Sequence, residues 1–181
     1  MRWLALVLVF AGCKKGTLGD PKADPDYHGI ELPTADPDEQ LNGNLAAGTE
    51  ITLDWAEQPE VACWPATEND NFEGPHVFFE ISKEGFGDIF IEVQPESDVD
   101  VSIYTIEFSD EVQEPPNVTG SHRCEASYAD VTGSNPGQPE AVELQGFPEK
   151  TILLGVSGPS TEDTGTFEVN IWRQEGDFDA E

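Results

Sequence analysis

Residues 151–172 read TILLGVSGPSTEDTGTFEVNIW, and the spacing of their apolar side chains decides the fold. Ile152, Leu154 and Val156 recur at every second position of Thr151–Ser157, and Phe167, Val169 and Ile171 do so in Thr166–Trp172. A period of two puts such side chains on one face of an extended chain, hiding that face and wetting the other. Gly158, Pro159, Ser160 and Gly165 lie between the runs and favour turns. The same period recurs upstream: Ile51, Leu53 and Trp55 in 49–55, Val77, Phe79 and Ile81 in 76–81, and Ile89, Ile91 and Val93 in 88–93. In 100–106, Val101, Ile103 and Thr105 stand opposite Ser102 and Tyr104, and a short run holds Val142 and Leu144. No segment after the first dozen residues carries a helical stripe. The pattern predicts an all-β antiparallel sandwich, jelly-roll-like, of about seven to eight strands. Two longer loops, 56–75 and 107–139, interrupt the regular spacing, and loops of that length are often functional or stapled.

Acidic residues number 37 against 8 basic ones, a formal charge of -29. Beyond residue 46 the only basic residues are Lys83, Arg123, Lys150 and Arg173. Nothing in such a chain neutralises a phosphate backbone, which excludes nucleic acid as a partner. Adsorption of the body to anionic lipid is disfavoured for the same reason. The charge favours solubility and attracts cations.

The first residues read differently. Arg2 precedes an apolar run, Trp3 to Ala11, too short to span a bilayer, which takes about 20 apolar residues. The run has the form of a secretory leader. It ends in Phe10-Ala11-Gly12-Cys13-Lys14-Lys15, which resembles the lipobox of bacterial lipoproteins, with Phe10 where Leu is usual. The resemblance implies cleavage after Gly12, a lipid such as palmitate on Cys13, and a membrane anchor. An ordinary leader with a chance cysteine is the alternative. Lys14 stands where Asp would imply inner-membrane retention, so the expected location is the outer membrane or cell surface. Lys14 to Ala46 is rich in Gly, Pro and acids and lacks apolar periodicity, so it reads as a disordered spacer. The expected organisation is a leader over 1–12, a lipidated cysteine and acidic linker over 13–46, the sandwich over 47–174, and an acidic tail over 175–181.

With Cys13 lipidated, Cys63 and Cys124 remain, one in each long loop. Disulfides persist in exported proteins, so a Cys63–Cys124 bond is expected, worth about 4 kcal/mol in the chain-entropy model. Two free thiols or a metal pair are the alternatives. Neither a His-Glu-x-x-His motif nor a Gly-x-Ser-x-Gly elbow occurs, and Gly155-Val156-Ser157-Gly158 has the wrong spacing for the latter. No catalytic residue is expected. Asp98, Asp100, Glu162 and Asp163 are the calcium candidates, with a solvated edge as the alternative. Trp64, beside Cys63, is a candidate sugar-stacking ring, with packing over a disulfide as the alternative.

Three stretches carry a family resemblance: His76-Val77-Phe78-Phe79-Glu80-Ile81, Asp98-Val99-Asp100-Val101-Ser102-Ile103-Tyr104, and Thr151 to Gly158 followed by Gly165-Thr166-Phe167-Glu168-Val169. They resemble the opening, Asp-rich and closing strands of the bacterial pre-peptidase C-terminal (PPC) domain, a small β-sandwich of secreted proteins. Phe167 stands where that family often has Tyr, and the loop carrying Cys124 is inserted. The resemblance implies an accessory or binding role, and some members bind calcium, although no complete ligand set maps here. The expectation is a lipid-anchored envelope binding module without catalysis. A structural subunit of an envelope complex is the alternative, as is a calcium- or carbohydrate-binding domain meeting a polysaccharide.

Overall fold

The computed structural model describes residues 36–175, apart from 59–60, 62, 65, 84–86, 97–98, 110, 122, 129–136 and 148–149. The expected leader, Cys13 and most of the expected spacer lie outside the described residues. Eight strands are described: β1 (Glu39–Asn44), β2 (Val77–Lys83), β3 (Gly87–Pro95), β4 (Ser102–Phe108), β5 (Arg123–Ser127), β6 (Glu140–Phe147), β7 (Lys150–Ser157) and β8 (Thr166–Glu175). They form two antiparallel sheets ordered β1-β8-β3-β6 and β2-β7-β4-β5. The pairs β1–β8, β2–β7, β3–β6 and β4–β5 form a two-stranded ribbon that folds over on itself, which is the jelly roll. The sandwich expected from the period of two is therefore present.

The inner core follows from that period. Ile89, Ile91, Val93, Val142, Leu144, Phe167, Val169 and Ile171 from the first sheet meet Ile81, Ile103, Ile152, Leu154 and Val156 from the second. Burying each of these side chains contributes on the order of 1.5–3 kcal/mol.

The outer face of the second sheet departs from the expected wet side, because a second apolar cluster covers it. Tyr104, Ile106, Phe108 and Leu153 point outward and pack beneath Trp55, Ala56, Val61, Trp64, Phe72 and Val118 from the long loops. Every residue of β4 is consequently buried. Gly155 makes the close approach possible, since a Cβ there would enter the Tyr104 ring.

Four boundaries differ from expectation. The 49–55 segment is not a strand: only Thr49 bridges to His76, and the chain then turns so that Trp55 drops into the outer cluster. Its alternation reflects a loop lying on an apolar surface. The spacer does not run to Ala46, because Glu39–Asn44 pairs with β8 while Leu41 and Leu45 enter the core. Gly43 lies against the Phe167 ring, where no side chain fits. Cys124 sits on strand β5 rather than in a loop. The sandwich also runs to Glu175, the first residue assigned to the tail.

Candidate functional site

Cys63 and Cys124 are joined, with Cα atoms 5.0 Å apart and a sequence separation of 61. The bond pins the 50–75 loop to β5 beside the outer cluster. Trp64 is the centre of that cluster and not a sugar platform. It is 3% exposed. Its ring stacks on Phe72 at 4.0 Å and meets Trp55 edge-on at 5.7 Å, while Nε1 donates to Asn69 Oδ1 at 2.8 Å. A ring enclosed in this way has no face for a ligand.

His76 closes the cluster from below and is also buried. Nε2 lies 3.0 Å from the Phe72 carbonyl and Nδ1 lies 3.0 Å from the Tyr104 hydroxyl. A carbonyl only accepts, so Nε2–H donates to Phe72 and Nδ1 accepts from Tyr104, which is the neutral imidazole. Burial lowers the His76 pKa to about 4, against the Phe72 hydrogen bond that raises it. Burial likewise pushes the Tyr104 phenol well above its usual range. Both groups serve packing.

Among the calcium candidates, Asp98 lies outside the described residues and Glu162 is exposed. Asp100 and Asp163 do come together, where the β7–β8 turn meets the approach to β4. Burial raises the Asp100 pKa and the Asp163 charge raises it further, while the Val101 N–H opposes them. Asp163 is already engaged, accepting from the Ser160 N–H at 2.9 Å and from its hydroxyl at 2.8 Å. Among the described residues no group of three His, Cys, Asp or Glu is placed to hold a metal ion.

A cleft of about 440 Å³ opens where the edge strands β1 and β2 of the two sheets meet. Arg173 occupies it, paired with Glu39 at 2.9 Å and reaching the Ser82 carbonyl at 3.5 Å, while its backbone N–H donates to Asp38 at 2.7 Å. The arrangement latches the edge shut, and an ion pair this exposed contributes little.

The surface with the most ligand-binding chemistry is the outer face of the first sheet. Strand alternation aims Gln40 and Asn42 of β1, Glu168, Asn170 and Trp172 of β8, Phe90, Glu92 and Gln94 of β3, and Glu143 of β6 outward. Neither apolar cluster includes these positions, although Phe90 and Asn170 are buried by their neighbours. Register sets them in rows: Asn42, Glu168 and Gln94; Gln40, Asn170 and Glu92; then Trp172, Phe90 and Glu143. Gln40 Nε2 donates to Asn170 Oδ1 at 3.0 Å, and the Asn170 side chain donates in turn to Glu92. Burial raises the Glu92 pKa, the Asn170 bond lowers it, and the Glu168 charge raises it again. Sequence reading missed this face. Its signal was available in the polar half of each alternation, where Asn and Gln recur in place of β-branched residues.

No family model and no curated protein matches the sequence. Solved structures share a coarse likeness. The K3 cleaved adhesin domain of Lys-gingipain from Porphyromonas gingivalis is 17% identical with a TM-score of 0.36, over 59% of this chain and 69% of that one. The Yersinia pseudotuberculosis-derived mitogen is 6% identical with a TM-score of 0.31, over 59% and 92%. TmCBM61, solved in complex with beta-1,4-galactotriose, is 13% identical with a TM-score of 0.32, over 78% and 92%.

Proposed function

We propose that the chain is an exported, lipid-anchored binding module of the bacterial envelope that meets its partner through the outer face of sheet β1-β8-β3-β6. The observation that carries this reading is the asymmetry of the sandwich. One sheet is buried on both sides under loops pinned by a disulfide, whereas the other keeps a polar face with an organised hydrogen-bond chain. The module has no catalytic role of its own in this reading: His76 is spent on packing, and Ser157 Oγ is bonded to the Gly74 carbonyl at 3.1 Å. The anchor rests on Phe10-Ala11-Gly12-Cys13, and the acidic spacer sets the sandwich away from the membrane. An accessory role is also what the PPC resemblance implies.

Two measurements test the reading. Mass spectrometry of the native protein should find residues 1–12 removed and Cys13 carrying lipid, and an unmodified Cys13 refutes the anchor. Immobilised full-length chain should retain an envelope component that a Gln40→Ala/Asn42→Ala variant releases. Equal retention by both proteins refutes the face.

A further inference from the structure

The chemistry of the open face narrows what it binds. Strands disfavour asparagine and favour β-branched residues, yet exposed Asn42 stands at an outward strand position on the same edge strand as exposed Gln40. Residues that break a local preference without a packing return are the ones to examine for function. Amides both donate and accept, which suits a ligand built of hydroxyl groups.

Charge selects further. No lysine or arginine stands at an outward position of the four strands, so phosphate, sulfate and uronate groups meet only repulsion. The face is not a bare anionic plate either. Glu92 already accepts from Asn170, Glu143 from Gln145 Nε2 at 3.0 Å, and Asp88 from the Gly146 N–H at 2.6 Å. Carboxylates held in this way retain acceptor capacity for hydroxyls and give up part of their pull on a free cation. Burial also disfavours the charged form of Glu92. At the end of the rows, half-buried Trp172 lies opposite buried Phe90 across the β3–β8 ladder and is the aromatic ring of the row that keeps part of its surface exposed. An aromatic surface bordered by polar groups takes the apolar C–H face of a sugar ring. Four strands about 4.8 Å apart leave room for a short run of such rings lying across them.

We infer that this face binds a neutral polysaccharide, with Gln40, Asn42, Glu92 and Glu168 meeting its hydroxyls and Trp172 packing against a ring. The inference rests on the reading of the chain as a binding module. Titration of the purified full-length chain with soluble glucan, mannan, galactan and xylan tests it, with polygalacturonate as the anionic probe and chitosan oligosaccharide as the cationic one. At least one neutral polysaccharide should bind. Gln40→Ala/Asn42→Ala, at two exposed positions, should weaken that binding roughly fivefold and Trp172→Ala roughly tenfold or more, with melting midpoints read in parallel. The inference falls if none of the four neutral polysaccharides binds, if a charged probe binds better, or if the Gln40/Asn42 variant binds as well as the parent. If no neutral glycan binds while an envelope component is still retained through Gln40 and Asn42, the ligand class is wrong and the binding module stands. If nothing is retained, both fall.

Discussion

His76 couples the packing of the outer cluster to pH. Its folded pKa, about 4, lies below the ordinary histidine value of 6.5, so the unfolded chain takes up the proton first as pH falls. The stability it contributes is complete above pH 6.5 and is lost as pH falls toward 4. At pH 4.5 the loss approaches about 2.5 kcal/mol. Glu92 and Asp100 act with the opposite sign: their folded pKa values are raised, so acid relieves them. Urea titrations of the parent and a His76→Gln variant at pH 7.5 and 4.5 separate the two. The variant should lose the acid-sensitive component, and equal pH dependence in both would refute the assignment. Glu107 is a second isolated case. It is 0% exposed, and among the described residues neither carboxyl oxygen has a hydrogen-bond partner. Arg123, opposite it on β5, is turned to Glu125 at 2.8 Å. A buried unpaired polar group costs about 1–3 kcal/mol, so Glu107→Leu should raise the melting midpoint, and a lowered midpoint would show an interaction that sustains the carboxyl.

The elements differ in how far they announced themselves. Strands β2, β3, β7 and β8 carry alternating apolar residues facing the inner core, and each lies where that alternation predicts it. Strand β5 did not, because its inward side carries Arg123, Glu125 and Ser127, and its outward side carries only Cys124 and Ala126. Strand β1 did not either, since polar Gln40 and Asn42 flank a single Leu41 and β8 supplies the backbone bonds. The disulfide fastens one of these strands, β5, to the 50–75 loop. Replacing Cys63 and Cys124 by Ser should cost about 4 kcal/mol and red-shift tryptophan emission as Trp55 and Trp64 loosen. Unchanged stability would mean that the outer cluster holds the loops unaided. Trp64→Ala should cost about 3–5 kcal/mol, because its ring fills the middle of that cluster.

Across the molecule, the open face and the sealed face are two outcomes of one topology. The ribbon places the long 45–76 and 109–122 connections over the second sheet, and the first sheet receives no comparable cover among the described residues. The N-terminal limit of the sandwich then becomes a stability question. Removing residues 1–37, which keeps Asp38 on the β8 backbone, should leave the melting midpoint within a degree or two of the parent, because no described part of that segment enters the core. Removing residues 1–46 takes away β1, Leu41 and Leu45 and exposes the edge of β8, so the midpoint should drop and the protein should tend to associate. Equal midpoints for the two truncations would show that β1 is dispensable.

The amino-acid sequence by itself determined the strand class and most of the inner core, because one-sided burial leaves a period of two that needs no knowledge of neighbours, whereas the Cys63–Cys124 bond was one of several readings until the fold brought the two together. The tertiary structure alone decided that Trp64 is enclosed, that Trp55 lies in a covering loop, that Glu39–Asn44 joins the sheet, and that Gln40 and Asn42 lie exposed on one face. Each of these depends on which segments cover which side of a sheet. That is set by contacts between residues far apart in the chain, and local periodicity carries no record of them.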